Sequence, residues 1–158
     1  MPKRLSKNFT EEELRCDDYC EEARQPEMSI VILLELVRLY FGSIHAAKCR
    51  VDVTNGCRCH PNNEAIQKKW YPINNNGKKY VPNSSKSRHM KKDAADFKVF
   101  IRVFNIGKGS EGKLPLTWEQ IDPKDVTKYL DNMFPNSLGI GTYHNRNHAD
   151  TRKTKARW

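Results

Sequence analysis

No apolar run in this 158-residue sequence approaches the roughly 20 residues that span a bilayer, which argues against a membrane-spanning helix. The opening stretch "MPKRLSKNFTEEELR" has no apolar segment of the secretory type, so synthesis in the cytoplasm without a signal peptide is expected. Acidic residues are scarce relative to basic ones. Asp and Glu total 19 against 28 Lys and Arg, a formal charge of +9. That balance favours a polyanionic partner, and nucleic acid, anionic lipid and anionic cell-wall polymer all qualify. Internal repeats and low-complexity tracts are missing too, which argues against a repeat architecture. Also missing are the paired C-x2-4-C units usual in structural zinc sites. Cys16 and Cys20 stand four apart, while Cys57, Cys59 and His60 cluster later. Five cysteines in a chain of this size read as free, partly buried thiols in a reducing compartment, in preference to a disulfide framework or a second metal site.

What is present suffices for one domain, residues 1–158, with a real core. Thr10 followed by Glu13 is a capping-box pattern that predicts a short first helix. "PEMSIVILLELVRLYFG" is apolar nearly all round, starts at Pro26 and stops at Gly42, and predicts a core helix. "CRVDVTNG" alternates Val51 and Val53 with polar neighbours and reads as a strand running into a turn. A short helix is expected over "PNNEAIQKKW", an exposed loop over residues 72–86, and a second strand over "ADFKVFIRVF". Asp122 caps a helix with Pro123 in its first turn, and the closing "GIGTYHNRNHADTRKTKARW" predicts a hairpin.

One short stretch raises a chemical question. In "SRHMKKDAAD", His89 and Asp96 lie seven positions apart within a basic run. A straight helix would separate their backbones by about 10.5 Å and a straight strand by about 23 Å, whereas ligands of a tetrahedral zinc lie about 3 to 3.5 Å apart. The two can share a metal only if the chain turns between them, with His89 in a loop and Asp96 entering a strand. By spacing alone, solvated surface residues are the commoner reading. Further along, "NHADTR" alternates His148, Asp150 and Arg152, which in a strand places them on one face. A third ligand is then available beside a carboxylate and a cation. Arg58, in the turn "TNGCRCH", can clamp a carboxylate with two parallel hydrogen bonds.

The order of these segments resembles the zinc peptidases that include D-Ala-D-Ala carboxypeptidases and phage-type endolysins, peptidase family M15, in its small single-domain branch. "LSKNFTEEELRC" is similar to that branch's opening, and "VDVTNGCRCHPNNEAI" to its strand and arginine turn. "SRHMKKDAAD" is similar to its S-x-H-x-x-G-x-A-x-D box, and "GIGTYHNRNHADTRKTKARW" to its close. The resemblance implies an α+β fold of the hedgehog/DD-peptidase type, an antiparallel sheet with packed helices. It also implies Zn2+ held by His89, Asp96 and His148, with Arg58 on a substrate carboxylate or carbonyl and Ser87 close to the metal-binding turn. Two departures stand out. The family glycine three residues after the first histidine is Lys92, so the turn is expected to differ and to be less strained. An acidic residue common three positions before the last ligand is Asn145, which cannot take a proton. Asp150 is the favoured replacement as general base and His144 the second choice, although Asp150 has an alternative role as a partner that orients a metal-bound histidine.

The activity implied is hydrolysis of a peptide bond in peptidoglycan stem peptides, as in a phage or prophage lysin. The chain is expected to be a monomer that acts on the cell wall, with neither nucleic acid nor membrane insertion involved. Zinc in such a site brings the pKa of water from about 15.7 towards 7, and the positive charge holds the protein to an anionic wall. Two other readings stay open: a non-catalytic peptidoglycan-binding module on the same fold, and a basic nucleic-acid-binding protein, suggested by composition and by "RKTKARW".

Overall fold

A computed structural model describes residues 3–16, 25–70, 87–104 and 116–158. The expected loop over 72–86 and Cys20 lie outside the described residues. The architecture is α+β. Four helices, α1 (Glu11–Leu14), α2 (Met28–Ile44), α3 (His60–Trp70) and α4 (Pro123–Met133), accompany six strands in the described residues. The strands are β1 (Cys49–Asn55), β2 (Ala94–Phe104), β3 (Leu116–Gln120), β4 (Gly139–Thr142), β5 (Asn147–Asp150) and β6 (Ala156–Arg157).

All six strands form one sheet, ordered β1-β2-β5-β4-β6, with β3 also paired to β2. β1 occupies one edge of β2. β5 and β3 share the other, β5 against Ala94–Phe97 and β3 against Phe100–Phe104. The expected sheet was antiparallel throughout; β4 and β6 in fact run parallel. The hairpin predicted from residue 139 onward is β4–β5, after which the chain crosses over to add β6 on the outside. β3 is a strand the sequence reading missed.

Alternation along β2 sorts the sheet into two faces. Ala95, Phe97, Val99 and Ile101 are buried, as are Val51 opposite Val99 and Ala149 opposite Ala95, and they pack with Ile30, Leu34, Val37 and Phe41 of α2 and Val126 and Leu130 of α4. α2 starts behind Glu27 and runs two residues past Gly42. Although apolar nearly all round, it buries only one side and leaves Ile32, Leu39 and Ile44 exposed. α4 begins as expected, with Asp122 accepting a hydrogen bond from the Lys124 backbone N–H at 2.8 Å and Pro123 in the first turn. Glu13 likewise accepts from the Thr10 N–H at 2.7 Å, which holds the short α1. α2 and α4 thus cover one face of the sheet, and the even-numbered residues of β2, beginning with Asp96, point to the other.

Candidate metal centre

His89 and Asp96 come together through a turn followed by a strand. Residues 88–92 form a compact turn in which the His89 carbonyl accepts from the backbone N–H of Lys92 at 3.2 Å and from that of Arg58 at 3.1 Å. Lys92 has φ of 64°, in the left-handed region. The turn therefore keeps the backbone shape that suits a glycine, contrary to the expectation of a less strained one, and lysine bears a cost of about 1 kcal/mol. Asp96 is the third residue of β2, directly opposite His148 of β5.

A register shift between Val53 and Asn55 of β1 completes the arrangement. Val53 pairs with Phe97 on the core side, but Asn55 pairs with Asp96 on the other. The irregularity re-aims one side chain, a common use of a bulge beside a functional site. Asn55 Oδ1 accepts from Arg58 Nε at 3.1 Å, and Arg58 Nη2 reaches Asp96 Oδ2 at 3.4 Å.

Three atoms converge as a result. His148 Nδ1 lies 2.8 Å from Asp96 Oδ1 and 3.1 Å from His89 Nε2, and His89 Nε2 lies 3.4 Å from Asp96 Oδ1. Bond lengths of about 2.0–2.2 Å at tetrahedral angles put zinc ligands about 3.3 Å from each other. Each ring's other nitrogen faces an acceptor: His89 Nδ1 donates to the Gly56 carbonyl at 2.6 Å, and His148 Nε2 faces Asp150 Oδ2 at 3.3 Å. With the ring protons placed there, two nitrogen lone pairs and a carboxylate oxygen meet with no donor among them. A cation resolves that conflict, so this buried group can hold a metal ion. Among the described residues it is the one cluster of three His, Cys, Asp or Glu side chains with this property.

The ionisation states of His89 and Asp96 suit the same purpose, whereas a metal must displace a proton from His148. Burial pushes the His89 pKa down, against the pull of Asp96. For His148, burial also opposes the charged form, but hydrogen bonds to Asp150 and Asp96 outweigh it and raise the pKa. Asp96 is buried, yet its bonds to His148 and His89 hold its carboxyl well below the usual range. Asp150 behaves alike, through His148 and Arg152.

Compared with protein-family models, with curated proteins and with solved structures, the chain matches none. The site is therefore read from its own residues.

Asp150 is fully buried and heavily engaged. Its Oδ1 accepts from Arg152 Nε and its Oδ2 from Arg152 Nη2, each at 2.6 Å, and Arg88 Nε lies 3.6 Å away. Its oxygen meets the nitrogen of His148 opposite the one that joins the cluster. This geometry gives Asp150 the positioning role. The base role favoured for it fits poorly, because both oxygens are bonded to Arg152 and the nearer one meets His148 at the ring nitrogen that is not a ligand atom. Arg88 also pairs with Asp93. The spacing of "GIG" follows from this packing. A Cβ at Gly139 would lie 2.3 Å from Asp150 Oδ2, and one at Gly141 2.7 Å from Trp158 Nε1. The two glycines thus make room for the Asp150–Arg152 pair and for the Trp158 ring, whose centroid is 5.2 Å from that of His148.

The remaining expected residues fall in different places. Ser87 is half-buried immediately before the turn. His144 is exposed on the β4–β5 turn and, with Asn145, lines a surface depression beside Gln120, Asp122 and Lys124 that includes none of the three ligands. Cys16, Cys57 and Cys59 form a small buried cluster under the Arg58 turn. Cys16 Sγ and Cys59 Sγ are 3.6 Å apart, and burial raises the Cys57 pKa to about 12. Sequence reasoning passed over Asn55, Arg88 and the carbonyl of Gly56. Only the Asn55-Gly56 turn signal pointed near them.

Proposed function

We propose that this chain is a zinc-dependent peptidase that hydrolyses a peptide bond in bacterial peptidoglycan, with a hedgehog/DD-peptidase-like fold. The observation that carries the reading is the convergence of His89 Nε2, Asp96 Oδ1 and His148 Nδ1 within 3.4 Å, with Arg58 bonded to the same aspartate. The resemblance of four ordered sequence segments to such peptidases supports it. Zinc held by these three side chains supplies a Lewis acid that polarises an amide carbonyl and makes water acidic enough to react near neutral pH.

The protein's own groups do the rest. Gly56 and Asp150 fix the two imidazole rings, and Arg58 fixes the carboxylate between them. Arg58 stands beside the ligands, where its guanidinium can meet a substrate carboxylate or the oxygen on which charge develops. Because Asp150 is committed to Arg152 and His148, His144 is the group left to test for proton transfer.

Turbidity of purified cell walls decides the matter. Wild-type protein should clear the walls and release new amino termini, a chelator should stop both, and His89→Ala should be inactive. Zinc-loaded protein that sediments with walls but releases no termini would replace this reading with a non-catalytic binding module.

A further inference from the structure

The sheet face that carries the ligands continues well beyond them. Asp96, Lys98, Phe100 and Arg102 alternate onto that face of β2. The register sets Arg50 of β1 opposite Phe100, and Trp118 of β3 opposite Arg102. The Arg50 guanidinium lies 4.9 Å from the centroid of the Phe100 ring and 4.7 Å from that of Trp118. Its Nε binds Asp52 at 2.7 Å. Trp118 is 40 % exposed, Arg50 is exposed, and Lys98, Phe100 and Arg102 are half-buried.

Such a surface is an unusual way to finish a solvated sheet, where small polar and charged residues suffice. Here a planar cation spans two aromatic rings and is tethered by a carboxylate, so its orientation is fixed in advance. Its terminal nitrogens take no hydrogen-bond partner among the described residues, and Lys98 and Arg102 form no ion pair there. Three cations against one anion, Asp52, make the patch attractive to carboxylates. Phe100 follows Asp96 by four residues, about 13–14 Å along the strand, on the same face.

We propose that this arginine–aromatic surface is a second binding site, which holds the anionic wall polymer while the metal centre acts on one of its peptides. The inference rests on the peptidase reading for the identity of the polymer. Carboxylates of the polymer meet Arg50, Lys98 and Arg102, and the flat faces of its sugar rings lie along Trp118. Continuity with the ligand-bearing face selects this occupant over nucleic acid, since the polymer that is cut must run past Asp96.

Co-sedimentation with purified walls tests this without requiring catalysis, and kcat/KM on a soluble stem peptide gives the comparison. Arg50→Ala and Trp118→Ala should each weaken wall binding on the order of tenfold while leaving soluble-peptide hydrolysis within about twofold. Lys98→Glu, which removes no ring from the sheet, should weaken it as well, most strongly at low salt. Unchanged wall binding in all three variants would overturn the proposal. So would an equal loss on the soluble peptide, which marks a merely structural effect, or tighter binding of single-stranded DNA than of walls through the same residues. If wild-type protein cuts no peptide yet binds walls through Arg50 and Trp118, the peptidase reading falls and the binding surface stands.

Discussion

Phe97 and Asp96 are neighbours on one strand and serve opposite faces of one sheet. On the helix-covered face, Phe97, Val99 and Ile101 are held by contacts any close-packed apolar set could make, and their chemistry is interchangeable within limits of volume. On the other face, Asp96 accepts from one arginine and meets two histidine nitrogens in a geometry that only a shared cation satisfies. The first face fixes where the strand lies. The second uses that placement to bring three ligand atoms to one point. Stability and site chemistry should therefore separate at adjacent residues.

The widest separation is expected between substitutions at these two positions. Phe97→Ala should cost about 3–5 kcal/mol of unfolding free energy, read by denaturant melts of the metal-free protein. Asp96→Ala should abolish metal binding while the fold persists. Equal destabilisation by both would mean that the two faces are not independent.

Asp150→Asn sharpens the same comparison within the site. If Asp150 orients His148, the variant should retain the fold and bind zinc about 10- to 100-fold more weakly, measured by competition with a chelator. Near-full turnover at saturating zinc would agree with a positioning role. A hundredfold loss of kcat with the metal in place would restore Asp150 as the base.

Acidity should distinguish the faces as well. The His148 pKa is raised, so in the metal-free protein its contribution to stability is fully present below about 6.5 and is lost as the pH rises through the raised value. Metal must displace that proton. Apparent affinity should thus fall by about tenfold per pH unit below the His148 pKa, while the apolar face responds to neither change. A pH-independent zinc affinity between pH 5 and 8, a window set around the ordinary histidine value, would contradict the assignment of His148 Nδ1 as a ligand atom.

The smallest effect concerns the turn. Lys92→Gly relieves a left-handed backbone but loosens the unfolded chain, so a net gain of no more than about 0.6 kcal/mol is expected, with zinc affinity unchanged. Destabilisation would show that the lysine side chain supports the turn.

Much of this was legible in the sequence, for reasons that can be named. The Thr10 and Asp122 caps, the alternation of Val51 and Val53, and the requirement for a turn between His89 and Asp96 all depend on local spacing, and the structure has each of them. What was hidden depends on register. No pattern in "TNG" shows that β1 slips at Thr54 to bring Asn55 opposite Asp96, or that "LTWEQ" pairs with the far half of β2. Asp150 lay on the expected face, but its engagement with Arg152 and its place behind His148 appear only once Gly139 is known to lie beneath it. Lys92 in a glycine-like conformation was misjudged although the resemblance sets a glycine at that position, since the residue type argues against the φ it adopts.

The central claim is that His89, Asp96 and His148 hold one metal ion. Elemental analysis of purified protein tests it most directly, with His89→Ala, Asp96→Ala and Cys59→Ser run beside the wild type. About one zinc per chain is expected in the wild type and in Cys59→Ser, and almost none in the other two. Full zinc content in His89→Ala and Asp96→Ala, or its loss in Cys59→Ser, would contradict the account and move the metal to the cysteine cluster.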